Sequence, residues 1–384
     1  MRSIARGGTP VLRPTARQFI HFEFLTCAGI SFSQTLENHE FMADKSNPGF
    51  GALFTPHMLV QKFRNNAWDS AEIVPYASFS LSPATVVFHY GQEIFEGFKA
   101  YRQPNGSICM FRPDRNLARL NASATRLCMP PIDAEKTAEK IASLIKLDQA
   151  EVPQRPHTLY VRPCMIATDT VIKVNPSTTY TFFVILSIVG DYFAGKDARG
   201  VRLRTETEYV RAAPGGTGAA KCGGNYAASL AAKGQATKDG FDDLVWLDAR
   251  ERKYIEEMGG MNIMFVMDGK LVTPSISSGT ILPGVTRDSI LRLAQSQNIG
   301  VEERTLAVDE LIAAQKAGRL KEAFACGTAA VITPIREIIH NGEVLYHNSG
   351  DKPGALTMQL RQQLMDLQFG SAPDPFGWRH PVVL

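Results

Sequence analysis

The 384-residue sequence predicts an α+β fold in two domains, each a mixed sheet with helices packed on it. Three observations carry that expectation. At about 150 residues per domain, the length allows two or three domains. Runs with strand character, closed by turn dipeptides, are interleaved with stretches of helical period and show no fixed repeat. Residues 190–200 (GDYFAGKDARG) break the pattern with glycine and charge, and so read as the interdomain connection.

The elements follow in order. Residues 1–45 form a weakly patterned arm, and 46–189 the smaller N-terminal domain, which opens on PGFGALFTPHM and the strand-like AEIVPYASF. Residues 98–102 and 107–111 flank Asn105-Gly106, a dipeptide suited to the tight turn of a hairpin. Leu117, Leu120, Ala124 and Leu127 recur at helical spacing, as do Ile141, Leu144 and Ile145, so two amphipathic helices are expected. Residues 158–166 and 179–189 return to strand. The larger C-terminal domain, 201–384, is expected to place helices after Asn225, after Thr286, after Val308 and over 356–367. Strands at 243–248 and 322–326 separate them, with a second hairpin of 262–267 and 270–273 around Asp268-Gly269.

Composition narrows the function. With 41 basic and 38 acidic residues the net charge is +3, which argues against a protein living on electrostatic contacts with nucleic acid. The longest clean apolar stretch, FFVILSIV at 182–189, falls far short of the roughly 18 residues of a spanning helix, so no membrane partner is expected. The six cysteines, Cys27, Cys109, Cys128, Cys164, Cys222 and Cys326, form no C-x-x-C pair and no zinc-like spacing with the eight dispersed histidines. Reduced thiols in the cytoplasm and no metal site are the expectation. Arg2, Arg6, Arg13 and Arg17, with no acid in the first twenty residues, leave a mitochondrial transit peptide as the alternative.

Nucleophile-elbow, P-loop, dinucleotide and zincin motifs are all absent. What stands out is GTGAAKCGGNYAAS at 216–229, which sets Lys221 among small residues just ahead of a helix. Most lysines so placed are solvated loop residues. The chemical reading is a Schiff-base lysine, whose amine must lose its charge by desolvation before it attacks a carbonyl. Pyridoxal phosphate would then require a phosphate cradle, an acid for its ring nitrogen and a donor for its phenolic oxygen. In LPGVTRDSILRLAQ (282–295) a helix begins at Val285 and Thr286, where unpaired N–H groups and the positive dipole end suit a dianion. Arg119, flanking the apolar stripe of its helix, can add a fixed charge. Glu257 ends a strand-like run at a glycine pair, where a carboxylate can point into a cleft. Tyr160 and Arg162, two residues apart in LYVRP, share a strand face and together suit a carboxylate. Singly, each has a commoner explanation as a capped helix, a surface arginine or an exposed acid.

Read together, HYGQEIFEGFKAYR, GTGAAKCGGNY, EEMGGMN, LPGVTRD and CGTAAVITP resemble branched-chain aminotransferases of the pyridoxal-phosphate class IV family, a fold-type IV, D-amino-acid-aminotransferase-like architecture. The resemblance runs over residues 48–378. It implies a homodimer that moves the amino group of L-leucine, L-isoleucine or L-valine to 2-oxoglutarate, giving the 2-oxo acid and L-glutamate. It implies that Lys221 forms the aldimine and shuttles the proton, that Glu257 faces the pyridine nitrogen, and that Tyr226 meets the phenolic oxygen. Arg119, Val285, Thr286 and Thr328 would hold the phosphate. Thr328 and Ala329 would present N–H groups to the α-carboxylate. Tyr90, Phe95, Tyr160 and Tyr192 would line the side-chain pocket, and Arg162 would meet the distal carboxylate of glutamate.

The sequence departs from the family at Met264, where an aromatic is usual, and at Asp191, where alanine is usual beside Tyr192. Ala330 and Thr333 replace the redox cysteine pair of some animal members, so no thiol switch is expected there. Rivals on the same fold are D-amino-acid or (R)-amine transaminases and aminodeoxychorismate lyases; Tyr160 with Arg162, and HYGQEIFEG, favour the branched-chain reading. A non-catalytic relative would usually have lost Lys221 or Glu257, and a nucleic-acid-binding arm would rest on the N-terminal arginines alone.

Overall fold

A computed structural model describes residues 49–190 and 199–383, all within a unit that spans Ala43–Leu384. The N-terminal arm with Cys27, the pocket residue Tyr192, its neighbour Asp191 and most of the expected connection lie outside the described residues. In chain order the first part contains β1 (Leu53–Arg64), β2 (Ala67–Trp68), β3 (Glu72–Pro75), α1 (Val86–Tyr90), β4 (Glu93–Phe95), β5 (Phe98–Arg102), β6 (Ile108–Phe111), α2 (Pro113–Arg126), α3 (Ala134–Leu147), β7 (Thr158–Ala167) and β8 (Tyr180–Val189). The second contains β9 (Val201–Glu206), α4 (Gly223–Ala227), α5 (Leu230–Lys238), β10 (Asp243–Leu247), β11 (Ile255–Met258), β12 (Met261–Met267), β13 (Lys270–Pro274), α6 (Val285–Ser296), β14 (Val301–Arg304), α7 (Val308–Lys316), β15 (Leu320–Gly327), β16 (Val331–His340), β17 (Glu343–His347), α8 (Ala355–Gln368) and β18 (Arg379–Val382).

The strands make two nine-stranded sheets. The first runs β18-β6-β5-β7-β8-β1-β2, with β3 on β1 and β4 on β7, and is antiparallel throughout. The second runs β11-β10-β9-β16-β15-β12-β13-β14, with parallel pairs at β9/β10, β9/β16 and β13/β14. Because β11 also pairs with β12, six of its strands close on themselves as a barrel, which removes the edges of an open sheet. The last strand, β18, returns to the first sheet and pairs there with β6 alone. Its Pro381, which lacks an N–H, is at home on such an edge.

Local chemistry explains the elements. Helix α3 starts at Asp133, whose carboxylate accepts the Lys136 N–H at 3.1 Å, and buries Ile141, Leu144 and Ile145. Helix α2 has Pro113 at its first position and buries Leu117, Leu120 and Ala124, as the spacing predicts. Both pack on Phe98, Ile108, Val161 and Phe182 of the first sheet. The barrel is filled by Val201, Val245, Ile263, Phe265, Ala325 and Ile335. A third cluster joins α6 and α8 to Tyr101 and Phe111 of the first sheet and to Trp378.

The two predicted hairpins differ. Asp268 and Gly269 both take positive φ, 52° and 76°, and β12 and β13 close directly at Met267 and Lys270. Around Asn105-Gly106 only Gly106 is left-handed, and β5 and β6 close farther back, at Arg102 and Ile108. The Asn105 side chain explains this, because its oxygen accepts both the N–H (3.1 Å) and the hydroxyl (2.8 Å) of Ser107 and so builds a wider loop.

Leu120 is fully buried in the helix that carries Arg119 and Ser123. Leu120→Ala should lower unfolding free energy by about 2–5 kcal/mol, measured by denaturant titration. A loss below about 0.5 kcal/mol would mean that α2 is not packed as described.

Candidate active site

Lys221 sits where the two sheets meet. Its backbone is held from both sides: the Lys221 N–H donates to Ser123 Oγ of α2 at 2.9 Å, and its carbonyl accepts the Phe95 N–H of β4 at 3.0 Å. Asn225 braces the preceding loop by donating to the Thr217 and Ala220 carbonyls, both at 2.8 Å. The amine therefore has a fixed origin. Nζ donates to the Tyr226 hydroxyl at 2.8 Å and lies 4.8 Å from the Phe95 ring centroid. Desolvation, reinforced by the Arg119 charge, pushes its pKa from 10.5 down to about 8. Burial, with the Glu257 charge, pushes the Tyr226 phenol up to about 12, so it stays protonated beside the amine.

Glu257, on β11, is buried and tightly held. Its Oε1 accepts the Leu282 N–H at 2.9 Å and the Asn262 amide at 3.1 Å, and its Oε2 pairs with Arg211 Nε at 2.9 Å. Burial raises its carboxyl pKa, and the Arg211 charge draws it back. Arg211 is itself fixed to the Gly218 and Thr280 carbonyls.

The expected phosphate residues stand on α2, on α6 and on the β15–β16 turn. Gly284 caps α6 without a side-chain bond, leaving Val285 and Thr286 at an open helix N-terminus. A cleft of about 640 Å³ beside this helix start is lined by Arg112, Arg119, Gly284 and Val285 but by neither Thr286, Thr328 nor Lys221. The Arg119 guanidinium grips Glu96 with two bonds, at 2.6 and 2.9 Å, and donates to the Pro283 carbonyl at 3.0 Å, so it is held in a fixed orientation. Thr328 and Ala329 are half-buried on the turn that leads into Val331. Val331 has φ 62°, a strained value for a β-branched residue. The Ala329 carbonyl accepts from Lys99 Nζ at 2.8 Å, a bond from β5 across to the barrel.

The side-chain pocket gathers on one face of the first sheet. Phe95 lies 5.0 Å from the Tyr226 ring, and the Arg162 guanidinium lies 4.7 Å over Phe95 and 5.2 Å over Tyr160. Arg162 also donates to the Tyr160 hydroxyl at 3.2 Å. Gly97 has to be glycine, because a Cβ there would overlap that hydroxyl. Tyr90 stands apart, exposed at the end of α1, with its ring 6.1 Å from His89. Sequence reasoning missed Glu96, Lys99, Arg211 and Asn262. The first two lie inside the quoted HYGQEIFEGFKAYR and Asn262 inside EEMGGMN, whereas nothing around Arg211 marks it.

Lys221 should become reactive well below an ordinary lysine. In cofactor-free protein, labelling by a small amine-selective reagent, read by mass spectrometry, should rise with a midpoint near pH 8, since only the neutral amine reacts. A midpoint near 10.5 would show a solvated amine.

Comparison with known proteins agrees with this geometry. The family model for amino-transferase class IV matches residues 93–338. The chain is 48% identical to the branched-chain-amino-acid aminotransferase of Mycolicibacterium smegmatis over 341 residues, covering 87% of this chain and 92% of that protein. It is 45% identical to branched-chain-amino-acid transaminase 1 of Bacillus subtilis, over 87% of this chain and 94% of that one. Among solved structures, the branched-chain amino acid aminotransferase of Escherichia coli aligns with a TM-score of 0.69 at 28% identity, over 86% of this chain and all of that one. The branched-chain aminotransferase of the thermophilic archaeon Thermoproteus uzoniensis, solved with norvaline, aligns at 0.70 and 25% identity, over 85% of this chain and all of that one. The α+β, fold-type IV expectation and the resemblance both hold, although the first sheet is antiparallel and not mixed: with a family match over most of the described chain and a desolvated lysine at its centre, this protein belongs to the class IV aminotransferases.

Proposed function

We propose that the protein is a pyridoxal-phosphate-dependent branched-chain-amino-acid aminotransferase, taking the amino group of L-leucine, L-isoleucine or L-valine to 2-oxoglutarate. One observation carries the reading: a lysine amine with its pKa lowered to about 8, hydrogen-bonded to a phenol and surrounded by acids that have their own cations. The donor set suits the cofactor. An uncapped helix N-terminus at Val285 and Thr286, with Thr328 and Arg119, can receive the phosphate; the buried Glu257 can face the ring nitrogen; Tyr226 can donate to the phenolic oxygen. When bound, pyridoxal phosphate supplies an electron sink that makes the substrate Cα–H bond breakable.

The chain's own residues then do the rest. Lys221 Nζ, neutral above its lowered pKa, accepts the Cα proton and later returns it, acting as base and then acid. Arg211 keeps Glu257 oriented and balanced, so the carboxylate does not turn toward the amine. Phe95 and Tyr160 offer an apolar wall to a branched side chain, and Thr328 and Ala329 offer N–H groups to its α-carboxylate. Arg162, stacked on aromatic rings rather than projecting alone, receives the distal carboxylate of glutamate.

The exposed apolar residues Phe88, Tyr90, Ile172 and Val174, up to 78% accessible, support a homodimer whose pockets are completed near the subunit boundary. Tyr90 then joins a pocket from that face. The same reading divides the chain into 46–189 and 201–384 about the 190–200 segment, which carries Tyr192, with β18 pairing back onto the first sheet, and places it in the cytoplasm. Among the described residues no helix is long and apolar enough to cross a membrane, and no group of metal-ligating side chains is found.

Turnover with 2-oxoglutarate tests the reading. L-Leucine should be a good donor and D-alanine a poor one, and Lys221→Ala should abolish transamination while the fold survives. Preference for D-alanine would move the protein to a rival activity on the same fold. Arg162→Met should weaken the glutamate half-reaction by about 2–5 kcal/mol and spare leucine, followed by single-turnover spectroscopy. Equal losses with both donors would make Arg162 structural.

A further inference from the structure

Glu93 is a half-buried acid to which the reaction as described gives no role. It opens β4, where Glu93 aligns with Ile166 and Phe95 with Cys164 of β7. Residues directly opposite share a face and alternate residues along a strand share it too. Glu93 and Phe95 therefore lie on the same face as Tyr160, Arg162 and Cys164, which is the face of the side-chain pocket. One Glu93 oxygen accepts the N–H of Gly223, two residues after Lys221. A Cβ at Gly223 would overlap that carboxylate, so glycine is what lets the acid dock there. Burial raises the Glu93 carboxyl pKa, while the Gly223 N–H and the Arg162 charge draw it back. Arg162 for its part keeps a buried Nε without a hydrogen-bond partner.

The pocket faces conflicting demands. A guanidinium left alone beside an isobutyl group is costly to desolvate, yet the same guanidinium must attract a carboxylate in the other half-reaction. Stacking on Phe95 and Tyr160 relieves part of the cost and leaves the net charge in place. We propose that Glu93 is the counter-charge of Arg162 and a specificity-determining residue, making the pocket electrically neutral toward an apolar side chain and moderating its attraction for a dicarboxylate. This rests on the reading of Arg162 as receptor of the distal carboxylate. With leucine bound, the Glu93 and Arg162 charges offset each other on the shared pocket face. With glutamate bound, the substrate carboxylate takes over the guanidinium, and its affinity is the difference between the two acids rather than the full attraction of a free cation.

Glu93→Gln keeps an oxygen for the Gly223 N–H and removes the charge, so it separates the electrostatic role from the structural one. In the holoenzyme, affinities for glutarate and 4-methylpentanoate, inert mimics of the two side-chain classes, are read by displacement alongside the single-turnover half-reactions. Glutarate and glutamate should bind about fivefold to tenfold tighter and 4-methylpentanoate and leucine more weakly, with Glu93→Asp restoring the original ratio. In an Arg162→Met background, Glu93→Gln should no longer weaken 4-methylpentanoate, because no guanidinium is left to be unbalanced. A ratio that Glu93→Gln does not alter, while Arg162→Met still discriminates against glutamate, overturns the role of Glu93 alone. Equal effects of Arg162→Met on both substrates would instead remove the reading of Arg162 beneath it.

Discussion

A lysine can act as nucleophile and base near neutral pH only when its surroundings make the charged amine unfavourable, and Lys221 is placed to meet that condition. Its backbone is clamped between α2 and β4, and its amine bonds to a phenol instead of an acid. The buried acids close by are each committed to a cation of their own, Glu96 to Arg119 and Glu257 to Arg211. If either carboxylate were released toward Lys221, it would stabilise the ammonium and raise its pKa. Pairing off the acids is thus what allows desolvation to dominate at the amine.

The fold supplies the rigidity that this balance needs. Closing six strands into a barrel fixes β11 and β12, which carry Glu257 and Asn262, while the antiparallel first sheet fixes Phe95, Tyr160 and Arg162. Lys99 ties the two by reaching from β5 to the Ala329 carbonyl, next to the strained backbone at Val331. A residue such as Val331 holds positive φ only when its neighbours over-determine the turn, and bonds of this kind are how they do so. The apolar cluster of α6, α8, Tyr101, Phe111 and Trp378 spans the same junction and resists relative movement of the sheets.

The arginines of the site follow a common logic. Arg119, Arg211 and Arg162 are each held by planar contacts that suit a guanidinium, namely a carboxylate fork, backbone carbonyls and aromatic rings. A lysine in any of these places would make fewer directed bonds and would itself be open to losing its charge. Lys221, set among them, is the group whose charge has to change.

Much of this was present in the sequence because it is local. Helical spacing marked α2 and α3, Asp268-Gly269 marked a tight hairpin, the small residues around Lys221 marked a bend before a helix, and LPGVTRD marked an uncapped helix start. Motif order along the chain named the family. The pairings that tune the site were not legible, since Glu96 and Arg119 are 23 residues apart and Lys99 and Ala329 are 230 apart, and no periodicity reports such separations. The wider loop at Asn105, the return of β18 to the first sheet and the closure of β11 on β12 likewise depend on side-chain bonds and strand partners chosen in three dimensions. The sequence determined which groups are available for chemistry; the tertiary structure decided which charges cancel, and so left the Lys221 amine to desolvation.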